Sequence, residues 1–230
     1  MIAVTFALPA ESAAFLQLLR DRKRQNEIVL GRIDNRAIEI LHTGVGEIPC
    51  RERVARLLQD RQFDLLISAG FAGALTDELQ PCDLLLAKDF STASLDNLHD
   101  VITKWRIHLA NLYTSPVMVS SIEHRKKIAV ETGTAAVDME TKFIARACAE
   151  RELALLSLRV ISDSPSHPFP APPNVLFNMA RQKTDFGKFT GFFARHPAHV
   201  TKLIRFAHTI RRARHKLAHA LADLIRNVEL

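Results

Sequence analysis

The 230-residue sequence contains no run of about 18 apolar residues, the length that a membrane-spanning helix requires. Met1–Phe6 is already a strand-like apolar run without a preceding basic region, so no secretory signal is expected. Cysteine is scarce, and Cys50, Cys82 and Cys148 are too far apart for a zinc or redox motif. These absences predict a soluble, cytoplasmic chain with reduced thiols, no metal site and no cofactor.

Net charge is low over most of the chain and concentrated at its C-terminal end. Apolar residues make up 47% of the sequence, enough for a packed core in one large domain or one domain plus an appendage. Residues 181–230 contain eleven Lys and Arg but three Asp and Glu, whereas residues 1–180 carry a net charge of −2. An anionic partner would therefore meet only the C-terminal segment, and a nucleic-acid partner is not expected.

Short β-rich runs alternate with helical patterns along the first 163 residues. This alternation predicts an α/β fold, with a central mixed, largely parallel sheet between helices in a three-layer α/β/α arrangement. The predicted strands cover residues 2–7, 27–32, 37–42, 64–69, 82–88, 115–119, 135–139 and 153–161. The predicted helices cover residues 9–19, 47–60, 97–112 and 140–150.

The chain changes character after residue 163. Five of the ten prolines lie in Ser164–Pro173, which predicts a loop. Beyond Pro197, apolar residues recur at three- and four-residue spacing and predict a long amphipathic helix. We therefore predict a catalytic domain over residues 1–180 and a basic helical extension over residues 181–230.

The basic extension has two interpretations. Its helix either packs on the body with a solvated charged face, or serves as a peripheral contact with anionic lipid at the inner face of the membrane. The phenylalanines before it fit either core packing or an apolar edge of such a contact; they are Phe186, Phe189, Phe192 and Phe193.

Carboxylates follow the ends of three predicted strands, where ligands bind in open α/β sheets. They are Glu11, the pair in Asp138-Met139-Glu140, and Asp163 at the end of Arg159–Asp163. Each has a structural alternative, because a carboxylate near a helix start complements the helix dipole and an aspartate before a loop forms Asx turns. Their shared position at strand ends favours a catalytic site.

Two glycine-containing segments, Thr43–Gly46 and Ser68–Gly73, also follow predicted strands. Glycine there lets backbone amides approach a ligand closely, although the glycines alone favour a tight strand-to-helix turn. Neither segment matches a dinucleotide-binding fingerprint or a phosphate-binding P-loop.

In order and spacing, these elements resemble the nucleoside phosphorylase and nucleosidase superfamily over about residues 1–165. The most specific are Val137-Asp138-Met139-Glu140 and, about 20 residues later, Arg159-Val160-Ile161-Ser162-Asp163. Within the superfamily the chain most resembles methylthioadenosine/adenosylhomocysteine nucleosidases. It further resembles the hopanoid-associated nucleosidases that release adenine from adenosylhopane. Those nucleosidases share the sequence motif Gly133–Thr141 and a basic C-terminal extension.

The resemblance implies a role for each matching residue. Asp163 would protonate purine N7, and Glu11 would hold the attacking water. Glu140 would bond the ribose hydroxyls, and Arg159 would orient Glu140 and the water network. The resemblance also implies substrate contacts from Val45, Phe71, Ala72, Gly73, Ile122, Asp138, Met139 and Ser162.

Acid assistance at the leaving group requires that burial raise the pKa of Asp163, while Glu11 and Glu140 are expected to stay ionised beside Arg159. Water is favoured over phosphate as the nucleophile, because a glutamate stands at position 11 where related phosphorylases carry an arginine-containing loop. The prediction is a purine nucleosidase acting on a 5′-substituted adenosine, and the resemblance suggests a homodimer. A phosphate-dependent phosphorylase and a non-catalytic nucleoside-binding protein remain the alternatives.

Overall fold

A computed structural model describes residues 1–59, 61–172, 175, 177, 178, 182 and 186–230, with the side chain of Phe186 left out. The strands are β1 (Ile2–Phe6), β2 (Arg20–Gln25), β3 (Ile28–Ile33), β4 (Arg36–His42), β5 (Leu65–Ala74), β6 (Leu84–Ala87), β7 (Ile107–Ala110), β8 (Leu112–Thr114), β9 (Ala136–Asp138) and β10 (Leu155–Asp163). The helices are α1 (Pro9–Leu16), α2 (Glu47–Gln59), α3 (His99–Trp105), α4 (Ile122–Thr132), α5 (Thr141–Ala149), α6 (Phe186–Arg195) and α7 (Ala198–Asn227).

The strands form one mixed sheet in the order β2-β3-β4-β1-β5-β10-β6-β7, with β9 pairing on β5 and β8 on β9. Its centre is parallel, because β1 pairs in parallel with β4 and β5, and β5 with β10. Every residue of β1 and β10 is buried, as expected for strands covered on both faces. The parallel centre brings the carboxyl ends of β1, β5 and β10 to one edge of the sheet.

Helices cover both faces of this sheet. On one face, α1 and α7 pack with Val4 and Phe6 of β1 into the largest apolar core. On the other face, α2 and α5 pack against Ala3 of the same strand. Alternating residues of β1 therefore enter opposite cores, which is the two-residue period of a strand between two layers. The predicted three-layer α/β/α architecture is confirmed.

Several predicted elements differ at their ends or in type. The predicted helix over 97–112 ends at Trp105, because Arg106 adopts a left-handed conformation with φ of 50° and β7 follows. The predicted strand over 115–119 is wrong: the strand is β8, and those residues form a loop. Strand β2 was not predicted, because Arg20–Gln25 contains no apolar residue and is charged at every position but the last. Charge of this kind protects an edge strand from aggregation.

Helix α7 confirms the long C-terminal helix, and its second half belongs to the main core. Leu217, Leu221, Leu224 and Ile225 are at most 1% exposed and pack with β1, β5 and β10. The proposed boundary at residue 180 lies among residues that are not described and stays a prediction. No helix in the described part of the chain has the length and apolar character to cross a membrane.

Candidate active site

A cavity of about 290 Å³ lies at the carboxyl edge of the sheet, a volume at the lower end of the range for small-molecule sites. It collects residues from widely separated segments of the chain. Ten of the twelve residues predicted for the site line it, namely Glu11, Val45, Phe71, Ala72, Gly73, Asp138, Met139, Glu140, Ser162 and Asp163. The structure thus brings the three predicted carboxylates to one cavity.

Asp163 is the last residue of β10 and its side chain is 1% exposed. One carboxylate oxygen, Oδ1, accepts a hydrogen bond from the Ser162 hydroxyl, and the other, Oδ2, forms a salt bridge with Arg125. The Ser162 hydroxyl is also 3.2 Å from the carbonyl oxygen of Ala72, which fixes it against β5. Asp163 is therefore held in one orientation at the cavity wall.

Two opposing effects act on the protonation of Asp163. Burial raises the pKa of its carboxyl group above the ordinary value, while the charge and hydrogen bond of Arg125 and the bond from Ser162 lower it. Burial is the larger effect, so the pKa is raised, as the sequence analysis required. A buried carboxyl group with a raised pKa is suited to act as a general acid.

Arg125 is a charged residue of the cavity wall that was not predicted from the sequence. It lies on α4, its side chain is 2% exposed, and it also donates to the carbonyl oxygens of Ala74 and Val119. In the sequence it begins the basic run Arg125-Lys126-Lys127, which is indistinguishable from a solvated helix face. The one available signal was its spacing of three residues from the buried Ile128, which puts both on the inner face of α4.

Glu11 lies in the first turn of α1, where its carboxylate meets the partial positive charge of the helix start. Its oxygens accept hydrogen bonds from the backbone amides of Leu8 and Phe71, at 3.0 and 3.3 Å. Gly70 lies against this carboxylate, since a Cβ there would be 3.4 Å from Glu11 Oε2, which is van der Waals contact distance. Burial raises the pKa of Glu11 in spite of these bonds.

Glu140 stands between β9 and α5, and its Oε1 accepts a hydrogen bond of 2.8 Å from the amide of Gly46. Burial, with the nearby charges of Asp138 and Glu11, raises its pKa to about 8. Glu11 and Glu140 both line the main cavity and also a smaller cavity of about 10 Å³, just large enough for one water molecule. Burial therefore raises the pKa of both glutamates, and their ionisation in the working site stays a prediction.

Arg159 lies beside this smaller cavity and does not line the main one. Its guanidinium group bonds Asp138 at 3.1 Å, the carbonyl oxygen of Ser68 at 2.7 Å and the hydroxyl of Thr141. The described hydrogen bonds of Arg159 do not include one to Glu140, so the predicted orientation of Glu140 and of the water network by Arg159 stays a prediction. Asp138 also accepts from the amide of Thr141, so its carboxylate ties β9 and β10 to the start of α5.

Ile122 is the predicted substrate contact that the structure does not bring to the site. It is the first residue of α4, is 54% exposed, and does not line the cavity. The loop before it contributes Val117, Met118 and Val119 instead. The aromatic side chains of the cavity come from other segments, and they are Phe71, Phe169, Phe177 and Phe206.

The sequence profile of the Phosphorylase superfamily matches residues 1–107 and 96–195 of this chain. The chain therefore belongs to the Phosphorylase superfamily, and the resemblance drawn from the sequence is confirmed at that level. The search of curated proteins gave no sequence match.

Solved structures of nucleosidases share the fold over almost the whole chain. A 5′-methylthioadenosine/S-adenosylhomocysteine nucleosidase from Streptococcus pneumoniae, with the transition-state inhibitor MT-ImmA, has a TM-score of 0.70 at 21% identity and covers 98% of each chain. A nucleosidase of the same name from Colwellia psychrerythraea, in complex with adenine, has a TM-score of 0.71 at 17% identity, covering 99% of this chain and 95% of its own. Futalosine hydrolase of Helicobacter pylori has a TM-score of 0.69 at 15% identity, covering 99% and 97%.

Proposed function

We propose that this chain is a purine nucleosidase, which hydrolyses the N-glycosidic bond of a 5′-substituted adenosine and releases adenine. The observation that carries the proposal is the meeting of Glu11, Glu140 and Asp163 at one cavity. Glycosyl cleavage needs an acid at the leaving group and negative charge near a sugar that becomes cationic. Asp163, a buried carboxyl group of raised pKa, would supply the acid, and Glu11 or Glu140 in its ionised form would supply the negative charge.

Asp163 is the proposed acid. In its protonated form it would donate to purine N7 as the glycosidic bond lengthens, and the electron pair of that bond would leave with the base. Ser162 holds one carboxyl oxygen and keeps the acid aimed at the cavity. Such general-acid assistance contributes about 10²- to 10⁴-fold to the rate.

Glu11 and Glu140 are proposed to act on the attacking water and on the ribose. Glu11 would accept the proton of the attacking water, and Glu140 would bond the ribose hydroxyl groups. Each glutamate is oriented by backbone amides, from Leu8 and Phe71 for Glu11 and from Gly46 for Glu140. An ionised carboxylate at this position stabilises the oxocarbenium-like sugar through its charge.

Water rather than phosphate is the proposed nucleophile. Phosphate binding requires cations or free backbone amides. Of the described residues that line the main cavity, Arg125 alone is a Lys or Arg, and it is paired with Asp163. Arg159, near Glu11, is paired with Asp138. The backbone amides of Leu8 and Phe71 donate to Glu11 and are not free to bind phosphate. The site therefore disfavours a dianion.

The identity of the base and of the 5′ group is proposed from the relatives. The names of the Streptococcus and Colwellia proteins specify 5′-methylthioadenosine and S-adenosylhomocysteine, and the Colwellia protein was solved with adenine. The apolar rings of Phe169, Phe177 and Phe206 on this chain suit the carbon chain next to the ribose in a 5′ substituent of the methylthioadenosine, adenosylhomocysteine or adenosylhopane type.

The experiment is a panel of 5′-substituted adenosines, scored for free adenine with and without inorganic phosphate. We expect adenine from at least one thioether or alkyl substrate in phosphate-free buffer, with free sugar as the second product. Adenine that appears only when phosphate is added, together with a sugar phosphate, would establish a phosphorylase instead. Binding of every nucleoside without cleavage would establish a non-catalytic binding protein.

We further propose a peripheral contact with the inner face of the membrane through the first half of α7. Val200 and Ile204, 38% and 53% exposed, lie one turn apart beside exposed Arg211 and His208. This mixture of exposed apolar and basic residues fits an anionic lipid surface. Sedimentation with anionic vesicles should fall for the double variant Val200→Ser, Ile204→Ser, and unchanged sedimentation would reject the contact.

A homodimer is proposed on the resemblance alone. Light scattering after size-exclusion chromatography tests it, because a dimer has twice the mass of 25.8 kDa per chain.

A further inference from the structure

A second cavity, of about 600 Å³, adjoins the candidate active site and has no part in the proposed reaction. The two cavities share Ser162, Phe169 and Phe206 in their walls. The rings of Phe169 and Phe206 meet edge to face, with centroids 5.6 Å apart. Because these rings line both cavities, the two cavities share an apolar wall.

The second cavity is strongly cationic. Lys202, Arg205 and Arg212 line it from α7, where intervals of three and seven residues put them on one helix face. None of the described residues that line it is an Asp or Glu, and its other polar members include Gln80, Ser166 and Thr209.

These three cations are also available to a ligand. Within the described parts of the chain, no salt bridge engages Lys202, Arg205 or Arg212. The contrast with Arg125 and Arg159 in the first site is clear, since each of those is paired with a buried aspartate. Unpaired guanidinium groups beside a hydroxyl group form the donor set that binds carboxylate and phosphate oxygens.

We propose that this second cavity is a subsite for an anionic group, a carboxylate or a phosphate, carried by the nucleoside substrate. The inference rests on the proposed nucleosidase function and specifies its substrate class: a purine nucleoside whose substituent crosses the Phe169–Phe206 wall and ends in an anion. The apolar wall receives the linker, and the face of α7 that carries Arg205 and Arg212 receives the charge.

The test compares adenosines whose 5′-thioether chains have equal length and end in a carboxylate, a methyl or an ammonium group. Across a series of chain lengths in phosphate-free buffer, we expect kcat/KM for adenine release to be highest for the carboxylate. The preference over the ammonium compound should reach about tenfold at low salt and decline as ionic strength rises. Equal kcat/KM values for the three end groups at every length would overturn the proposal.

Substitutions in the second cavity test whether it causes the preference for the carboxylate substrate. Arg205→Gln and Arg212→Gln should each lower kcat/KM for the carboxylate substrate by about threefold to tenfold, and change the methyl substrate by less than about twofold. Arg211→Gln is the matched control, because Arg211 is the exposed neighbour of Arg212 and does not line the cavity. Arg212→Glu should shift the preference toward the ammonium substrate. A carboxylate preference that survives all three cavity variants overturns the proposal.

Inorganic phosphate separates a tethered anion from a free one. We expect phosphate to inhibit cleavage of the carboxylate substrate competitively, leaving the methyl substrate unaffected. If phosphate instead accelerates adenine release and a sugar phosphate forms, the cavity delivers a nucleophile and the subsite proposal is wrong.

Failure of the subsite and failure of the proposed function give different results. If no nucleoside is cleaved, calorimetric titration with the carboxylate and methyl thioethers still tests the cavity, since tighter binding of the carboxylate, lost in Arg212→Gln, needs no turnover. If cleavage occurs and the carboxylate and methyl thioethers bind equally, the nucleosidase function is supported and the subsite proposal is wrong.

Discussion

Arg125 and Asp163 form a buried ion pair that joins α4 to the last residue of β10 at the wall of the candidate active site. Both side chains are almost fully buried, at 2% and 1% exposed, so water screens their interaction little. The pair opposes the effect that makes Asp163 a suitable acid, because burial favours the protonated carboxyl group and the guanidinium group favours the ionised one. Arg125 therefore limits the pH range in which the acid is protonated.

The pH dependence of catalysis tests this relationship. Activity that requires protonated Asp163 falls as pH rises through the pKa of that group. Arg125→Met removes the charge that lowers this pKa, so the alkaline limb of kcat/KM should move to higher pH. Arg125→Lys keeps the charge and should leave the limb near its wild-type position. Thermal unfolding of both variants checks the fold, and an unshifted limb in a folded Arg125→Met protein would contradict the assignment.

The raised pKa of Glu140 predicts how stability depends on pH. Its folded pKa is about 8 against an ordinary value of 4.5, so between these values the folded protein holds a proton that the unfolded chain has released. The contribution of Glu140 to the free energy of unfolding is therefore fully present below 4.5 and lost as pH rises through about 8. Glu140→Gln keeps the neutral form at all pH values.

Urea unfolding of wild type and Glu140→Gln across this window checks the sign. The stability of the variant relative to wild type should increase as pH rises. A difference between the two proteins that is constant with pH would show that Glu140 is ionised throughout.

Gly73 tests how closely the acid must be positioned. A Cβ at this position would lie 3.3 Å from Asp163 Oδ2 and 3.4 Å from Arg125 Nη1, so Gly73→Ala must displace the pair by a few tenths of an ångström. We expect kcat to fall by about tenfold, because small misplacements of catalytic groups are costly. Gly191→Ala is the control, since no atom lies within 4 Å of a Cβ there. Equal kcat in the two variants would argue against a role for this contact.

The second half of α7 should prove essential to the stability of the whole chain. Leu221 is fully buried in the core shared with β1 and β10, and Leu221→Ala should lower the free energy of unfolding by about 2–5 kcal/mol. Ile204, 53% exposed on the same helix, should lose no more than about 0.5 kcal/mol when changed to Ala. A single cooperative transition for both variants is expected, and an independently unfolding C-terminal segment would favour two domains.

The sequence predicted the parts of the fold that depend on local pattern. Strands β1 and β10 are rich in apolar residues and the apolar residues of α7 have helical spacing, so these patterns identified all three elements. Strand β2 was missed because its stability comes from pairing with β3. The charged sequence of β2 gives no indication of that pairing. The end of α3 was missed because it depends on the left-handed conformation of Arg106. Glycine or asparagine usually occupies such a position, and an arginine there gives no sign of a helix end.

The candidate site was predicted where a motif defines it and missed where only packing does. Glu11, Glu140 and Asp163 were identified from their places at strand ends, and all three reach the cavity. Arg125 could not be distinguished from Lys126 and Lys127, because only the packing of α4 buries one of the three. The ion-pair partner of Arg159 could not be chosen from the sequence for the same reason: Asp138 and Glu140 are two residues apart, and tertiary structure decides that Asp138 forms the pair.

The most direct test of the account is the release of free adenine from 5′-methylthioadenosine and its longer 5′ analogues by wild type and Asp163→Asn in phosphate-free buffer. The account predicts adenine release by the wild-type protein and a decrease in kcat of about 10²- to 10⁴-fold in the variant. An Asp163→Asn protein that folds normally and releases adenine at the wild-type rate would contradict the account, because the buried carboxyl group at the end of β10 would then not be the acid.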